Sequence, residues 1–152
     1  MQSYKNLRVS FFFMPKKLFI LEQAEKLLPS VKGLLKKAVF LNRKLASLRS
    51  ESVIDQAEIE FETQDQNVRY QFELVKNHDV LNQLTEDFYD ALDKIRQLGC
   101  EIKDLDSGLV DFPSKFEGRT VHLCYKLGED RIRHWHELDS GFAARQKIVD
   151  IV

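Results

Sequence analysis

Cysteine, tryptophan and one-sided charge are all scarce in this chain, and each scarcity removes an option. Cys100 and Cys124 are the only cysteines among 152 residues. They are too few for a disulfide framework and too far apart for a Cys-x-x-Cys metal knuckle, so a reduced, cytoplasmic setting is expected. Lys and Arg number 23 against 24 Asp and Glu, a net charge of −1. That balance gives no general attraction for nucleic acid or anionic lipid. The apolar run Val9–Met14, which follows Lys5 and Arg8, is shorter than a signal sequence needs. Pro15, Lys16 and Lys17 end it without a small-residue cleavage site, and neither export nor a membrane span is expected. There is no Gly-x-Ser-x-Gly elbow, no glycine-rich phosphate loop and no His-Glu-x-x-His helix, which removes the common hydrolase, nucleotide-binding and metalloprotease signatures.

The residues that are present divide unevenly. The stretch Gly99–Lys147 holds five of the six Gly, the only Trp, both Cys and three of the four His, while everything before it reads as helical scaffold. With 43% hydrophobic and 31% charged residues, the chain has the composition of an ordinary globular domain. Residues 14–152 are expected to form one domain, helical over 18–98 and a small sheet over 99–147, with residues 1–13 an N-terminal arm of no assigned role.

From Glu22 to about Ser50, apolar residues from Ala24 through Leu48 recur three and four apart, the mark of a helix with one apolar stripe. Pro29 is expected to kink it near Glu25. Its outer face carries Lys32, Lys36, Lys37, Arg43, Lys44 and Arg49 without an acid between Ser30 and Ser50. The next segment reverses sign with Glu51, Asp55, Glu58, Glu60, Glu62 and Asp65, and folding back on the first helix would set acids against bases. Its structure is ambiguous: residues 57–62 and 68–74 alternate as strands do on either side of a polar turn, yet Val53, Ala57, Phe61, Val68, Phe72 and Val75 also make a helical stripe. Helix is the expectation, on Glu and Gln content. Leu81 through Leu98 then follow helical spacing, and Gly99 stands where a left-handed C-cap belongs. After it come short extended segments split by turns, among them two copies of Leu-Asp-Ser-Gly at Leu105–Gly108 and Leu138–Gly141. The expected fold is α+β: long antiparallel helices, then a small antiparallel β-meander.

Several short motifs fall in order along this region: GLVDFP at Gly108–Pro113, EGR at Glu117–Arg119, LC at Leu123–Cys124, LGE at Leu127–Glu129, WHE at Trp135–Glu137 and GFAAR at Gly141–Arg145. Together with LEQAEKLLP at Leu21–Pro29, they resemble the bacterial domain of unknown function 2203 family. The resemblance implies long helices followed by a small sheet, and no established activity. Ile20 and Glu25 depart from the Thr and Asn that commonly stand at the family's opening, which removes the usual cap.

The candidate site surrounds Gly128. His122, Cys124 and Lys126 share one face of the arm before it, and Val121, Leu123 and Tyr125 the other. One residue of slip in the connection decides which face meets His134 and His136. A three-residue loop would set His122 opposite His136 and Cys124 opposite His134, a His₃Cys set suited to zinc. A two-residue Gly128-Glu129 turn would instead place Ile132, His134 and His136 with the apolar residues. This second register is the expected one, because the first turns Arg131, Arg133 and Glu137 toward the core. No metal is then favoured, and zinc on His122, Cys124, His134 and His136 is the alternative. The candidate polar cluster is Asp111, His134, His136, Glu137, Asp139 and Arg145. Adjacent His136 and Glu137 face opposite sides of a strand, which argues against joint action on one substrate. The leading function is a non-enzymatic module whose helices serve self-association or a protein partner. A metal- or anion-binding, hydrolase-like enzyme built on His134, His136, Asp111 and Arg145 is the alternative.

Overall fold

Between Leu34 and Leu98 the chain has neither Gly nor Pro, so nothing local breaks a helix there, and two long helices result. The computed structural model describes residues 16–58 and 64–149, with side chains described outside 51–77. Helix α1 spans Leu21–Glu58 and α2 spans Gln64–Gln97. Five strands follow: β1 Glu101–Asp104, β2 Leu109–Phe116, β3 Arg119–Lys126, β4 His134–Glu137 and β5 Gln146–Lys147. They form one antiparallel sheet in chain order. The α+β arrangement matches the expectation. The proposed N-terminal arm lies outside the described residues.

Helical content in 51–76 is observed over 51–58 and 64–76. The acidic fold-back is not: Glu51–Glu58 continue α1. Acids on the same helix as Lys32–Arg49 cannot lie antiparallel to those bases. The polar tetrapeptide read as a possible strand turn, Gln64–Asn67, is the first turn of α2.

Both helix ends near the sheet are capped by the chain itself. Ile20 cannot cap with its side chain, and Gln23 compensates by accepting a 3.2 Å hydrogen bond from the Ile20 N–H while Ala24 N–H bonds back to Ile20 O. This is the reciprocal half of a capping box. At the other end Gly99 has φ +94°, with Gly99 N–H donating to Arg96 O and Cys100 N–H to Ile95 O, the two bonds of a Schellman motif.

The helix pair covers one face of the sheet. Ala24, Leu28, Val31, Leu35 and Val39 of α1 and Ile95 of α2 pack with Val110, Phe112, Leu123 and Tyr125. Phe19 joins them, its ring edge-on to Phe112 at 5.5 Å between centroids. It is fixed by Phe19 N–H to Pro113 O at 2.7 Å and by the buried Ser114 hydroxyl donating to Phe19 O at 2.6 Å. The two helices meet each other through Ala38, Ala91 and Leu92, where small side chains let the backbones approach.

The β3–β4 pairing corrects the expected register. His122 lies opposite His136 and Cys124 opposite His134, the alignment that a three-residue loop would give. The anticipated cost of turning arginines into the core is avoided, because the chain leaves the ladder between Lys126 and His134. Ile132 enters the core while Arg131 and Arg133 stay outside. Arg133 is held by Asp130 through bonds of 3.0 and 2.7 Å. The Ile132 N–H, which has no ladder partner, donates to Glu25 Oε1 at 2.7 Å.

Of the described glycines, Gly108 in the β1–β2 turn makes the closest approach to a neighbour. It has φ +69°, its carbonyl accepts the Leu127 N–H at 2.8 Å, and a Cβ there would lie 2.6 Å from Leu127 Cβ. Gly108→Ala should therefore destabilise the fold by about 2 to 5 kcal/mol, combining left-handed strain with overpacking. Urea denaturation measures it, and a loss below about 0.5 kcal/mol would show that the contact does not constrain the chain.

Candidate functional site

The face of the sheet turned away from the helices is polar at its centre and nonetheless buried. Alternation along β2 sends Val110 and Phe112 into the core and Asp111 to the other side, and along β3 it does the same for His122 and Cys124. With His136 from β4 opposite His122, three neighbouring strands bring Asp111, His122 and His136 together. All three are buried, with one ligand atom from each within 4.8 Å of the others. The segment after β4 bends back over this face through Leu138, Ser140 and Phe142 and returns as β5. A cavity of about 150 Å³ remains between it and the cluster, lined also by Lys103, Leu109 and Cys124.

Hydrogen bonding restricts what this cluster can be. His136 Nδ1 lies 2.8 Å from the Glu137 carbonyl oxygen, which can only accept, so Nδ1 carries a proton. His136 Nε2 faces Asp111 Oδ2 at 2.9 Å. Two bare acceptors at that distance repel, and a proton or a cation must lie between them. His122 Nδ1 is 3.2 Å from the same Oδ2 but in no hydrogen bond, and Asp111 Oδ1 also has no partner. On its far side His122 Nε2 approaches Glu101 Oε2 at 3.6 Å. Burial pulls the Glu101 carboxyl up, and Lys103, His122 and Lys16 outweigh it, leaving it below the usual carboxylate range.

A second polar group lies beside the first on the same face. Arg145 Nη2 pairs with Glu129 Oε1 at 2.7 Å, and His134 Nδ1 stands 3.8 Å from that oxygen. Burial and the neighbouring Arg145 hold the His134 imidazole below its ordinary pKa. The other Glu129 oxygen accepts the Lys126 N–H at 2.9 Å. Arg145 also stacks on Phe142, with the guanidinium carbon 4.2 Å from the ring centroid. These contacts fasten the C-terminal segment to the β3–β4 connection. Cys124 lies between the two groups. Burial, reinforced by the Asp111 carboxylate, pushes its thiol up to about 12.

The six-residue candidate cluster is thus divided. Asp111 and His136 meet directly, whereas His134 and Arg145 belong to the Glu129 group. Glu137 faces away from His136, as alternation requires, and binds Arg119 through contacts of 2.7 to 3.2 Å. This pairing holds the Glu137 carboxyl below its usual range. Asp139 lies in the turn after β4. Of the alternative zinc set, His122 and His136 enter the compact group; Cys124 and His134 share their face but are not part of it. His122 in partnership with Asp111, and Glu101 and Glu129 as supports, were missed. The available signal was Asp111 itself, an acid between Val110 and Phe112, two residues that must be buried.

The fold and site define a class: an α+β protein with a two-histidine, one-carboxylate cluster on the sheet face opposite its helices. A family model described as an uncharacterized conserved protein, DUF2203, matches residues 17–148, and the chain belongs to that family. No curated protein and no solved structure matches it.

Glu25 bonds the irregular connection between β3 and β4 through the Ile132 N–H. Glu25→Ala removes the acceptor for the Ile132 N–H and should cost about 1.5 to 3 kcal/mol, whereas Glu25→Gln keeps an amide oxygen there and should recover most of that. Denaturation of both variants tests this; equal losses would show that the carboxylate's charge, not the acceptor, matters.

Proposed function

We propose that this protein binds a divalent transition metal through Asp111, His122 and His136. The observation that carries the reading is that His122 Nδ1 and His136 Nε2 both converge on Asp111 Oδ2, at 3.2 and 2.9 Å, with His122 Nδ1 and Asp111 Oδ1 otherwise unpartnered. The competing arrangement is an imidazolium at His136 paired with Asp111. It satisfies one contact and leaves two buried polar atoms orphaned, at about 1 to 3 kcal/mol each. A metal ion takes up a lone pair from all three side chains. The outer contacts agree with this: metal-bound imidazoles usually hand their remaining N–H to a carbonyl or carboxylate, and Glu137 O and Glu101 stand at those positions. Two imidazoles and one carboxylate suit zinc or ferrous iron better than magnesium or calcium.

Protein purified without chelator should contain close to one equivalent of zinc, iron or a similar ion by elemental analysis. Asp111→Ala and His136→Ala should each lose it. Adding zinc to stripped protein at about 100 times the dissociation constant should raise stability by about 2.7 kcal/mol. Metal-free protein that gains no stability from zinc, iron, manganese or cobalt would defeat the proposal.

The helices support a second reading, that of an interaction or self-association surface. Phe40, Tyr89 and Val80 are 64%, 57% and 53% exposed. At about 57 Å, α1 also outreaches an eight-residue strand of about 27 Å, and its contacts in the core shared with the sheet end at Val39. Light scattering after size exclusion should give a mass above 17.8 kDa that falls in a Phe40→Ser, Tyr89→Ser variant. A monomer at high concentration would eliminate self-association.

A further inference from the structure

Resting on the metal reading, we infer that the site keeps exchangeable coordination positions open to its cavity and that their ligand is a small oxyanion, a carboxylate or phosphate group. Three protein ligands leave a first-row divalent ion short of four to six. Sites with three protein ligands and an exchangeable position are of the catalytic type; closed structural sites use four. Among the described residues no fourth His, Cys, Asp or Glu joins the cluster, so the remaining positions must be filled from the cavity. Asp111, His122 and His136 all line that cavity, and its volume is about 150 Å³. A water occupies about 30 Å³ of liquid and drug-sized ligands need at least about 300 Å³. The space beside the cluster therefore admits an acetate- or phosphate-sized head group.

Charge selects an anion. A divalent ion with one carboxylate and two neutral imidazoles keeps one net positive charge, in surroundings where Asp111, His122 and His136 are nearly sealed from water. Glu101 does not cancel it freely, since Lys103 and Lys16 hold its oxygens at 2.8 and 3.5 Å. Lys103 itself lines the cavity and adds a second positive group on the side open to solvent. An oxyanion entering from that side displaces metal-bound water, puts one oxygen on the metal and offers another to the Lys103 ammonium. Leu109, Leu138 and Phe142 supply apolar walls, which favour a compact head group over a hydrated ion.

The test uses the full chain loaded with cobalt(II), whose visible spectrum reports coordination. Titration with inorganic phosphate and, separately, with sodium acetate should each shift the spectrum saturably at constant ionic strength. The tighter of the two identifies which oxyanion the cavity prefers. Lys103→Ala, compared with the unaltered chain at one bound cobalt per molecule, should weaken the tighter anion about tenfold, consistent with loss of one charge-assisted bond, and Lys103→Arg should restore anion binding. Stoichiometric cobalt whose spectrum responds to neither anion would overturn this inference and leave the metal reading intact. Failure to bind cobalt at all would overturn both.

Discussion

The strict two-face alternation of a β-strand is the constraint on which this structure depends. The residues of β2 and β3 that meet the helices are apolar apart from Ser114, whose hydroxyl is bonded to Phe19 O, and each residue between them faces the opposite side whether or not it is suited to burial there. Val110, Phe112, Leu123 and Tyr125 fill the first face. Asp111, His122 and Cys124, interleaved with them, are carried to the second, where the returning C-terminal segment buries them. The cluster's position is therefore a by-product of the hydrophobic pattern. Its burial comes from a different element, the segment from Leu138 to Phe142.

The same alternation creates a conflict in the third strand of the site, which the fold resolves locally. Ile132, His134 and His136 are spaced two apart, so an unbroken strand would put them on one face, and no single register could bury Ile132 in the core while joining His136 to Asp111. Breaking the ladder at Asp130–Arg133 satisfies both demands. The cost is an unladdered N–H at Ile132, met by Glu25 from α1, and two arginines that need solvent or a partner. Arg133 finds Asp130. Only a regular backbone up to the turn would carry Arg131 and Arg133 into the core, and a few irregular residues cost far less than desolvating two guanidinium groups would.

Helix spacing, the Gly99 cap, the change of pattern after it and the α+β order could be read directly from residues, because each is local. The length of α1 was less accessible: the sign reversal at Glu51 suggests a turn that the absence of Gly and Pro does not support, and the helix runs on to Glu58. The site was half legible. His136 and Asp111 were grouped by chemistry alone, and His122 with Cys124 by parity. Joining these pairs required the β3–β4 register, and the irregular connection that goes with it is bonded by Glu25, 107 residues from Ile132 in sequence. Arg145 was placed in the candidate cluster by its chemistry, but Glu129, its partner, lay in what read only as loop.

The site's geometry is in the end an output of the core. Asp111 is flanked in sequence by two residues with no solvent exposure, Val110 and Phe112, and Phe112 is held by Phe19, which Pro113 and Ser114 anchor in turn. His122 sits between Val121 and Leu123 in the same way. Close-packed interiors transmit small displacements instead of absorbing them, and ligand atoms must be placed within a few tenths of an ångström for a metal to bind well. Packing on the helix side therefore fixes the separation of donor atoms on the other side. This gives a physical role to helices that contribute no side chain to the cluster: they pack on one face of the sheet while Asp111, His122 and His136 converge on the other.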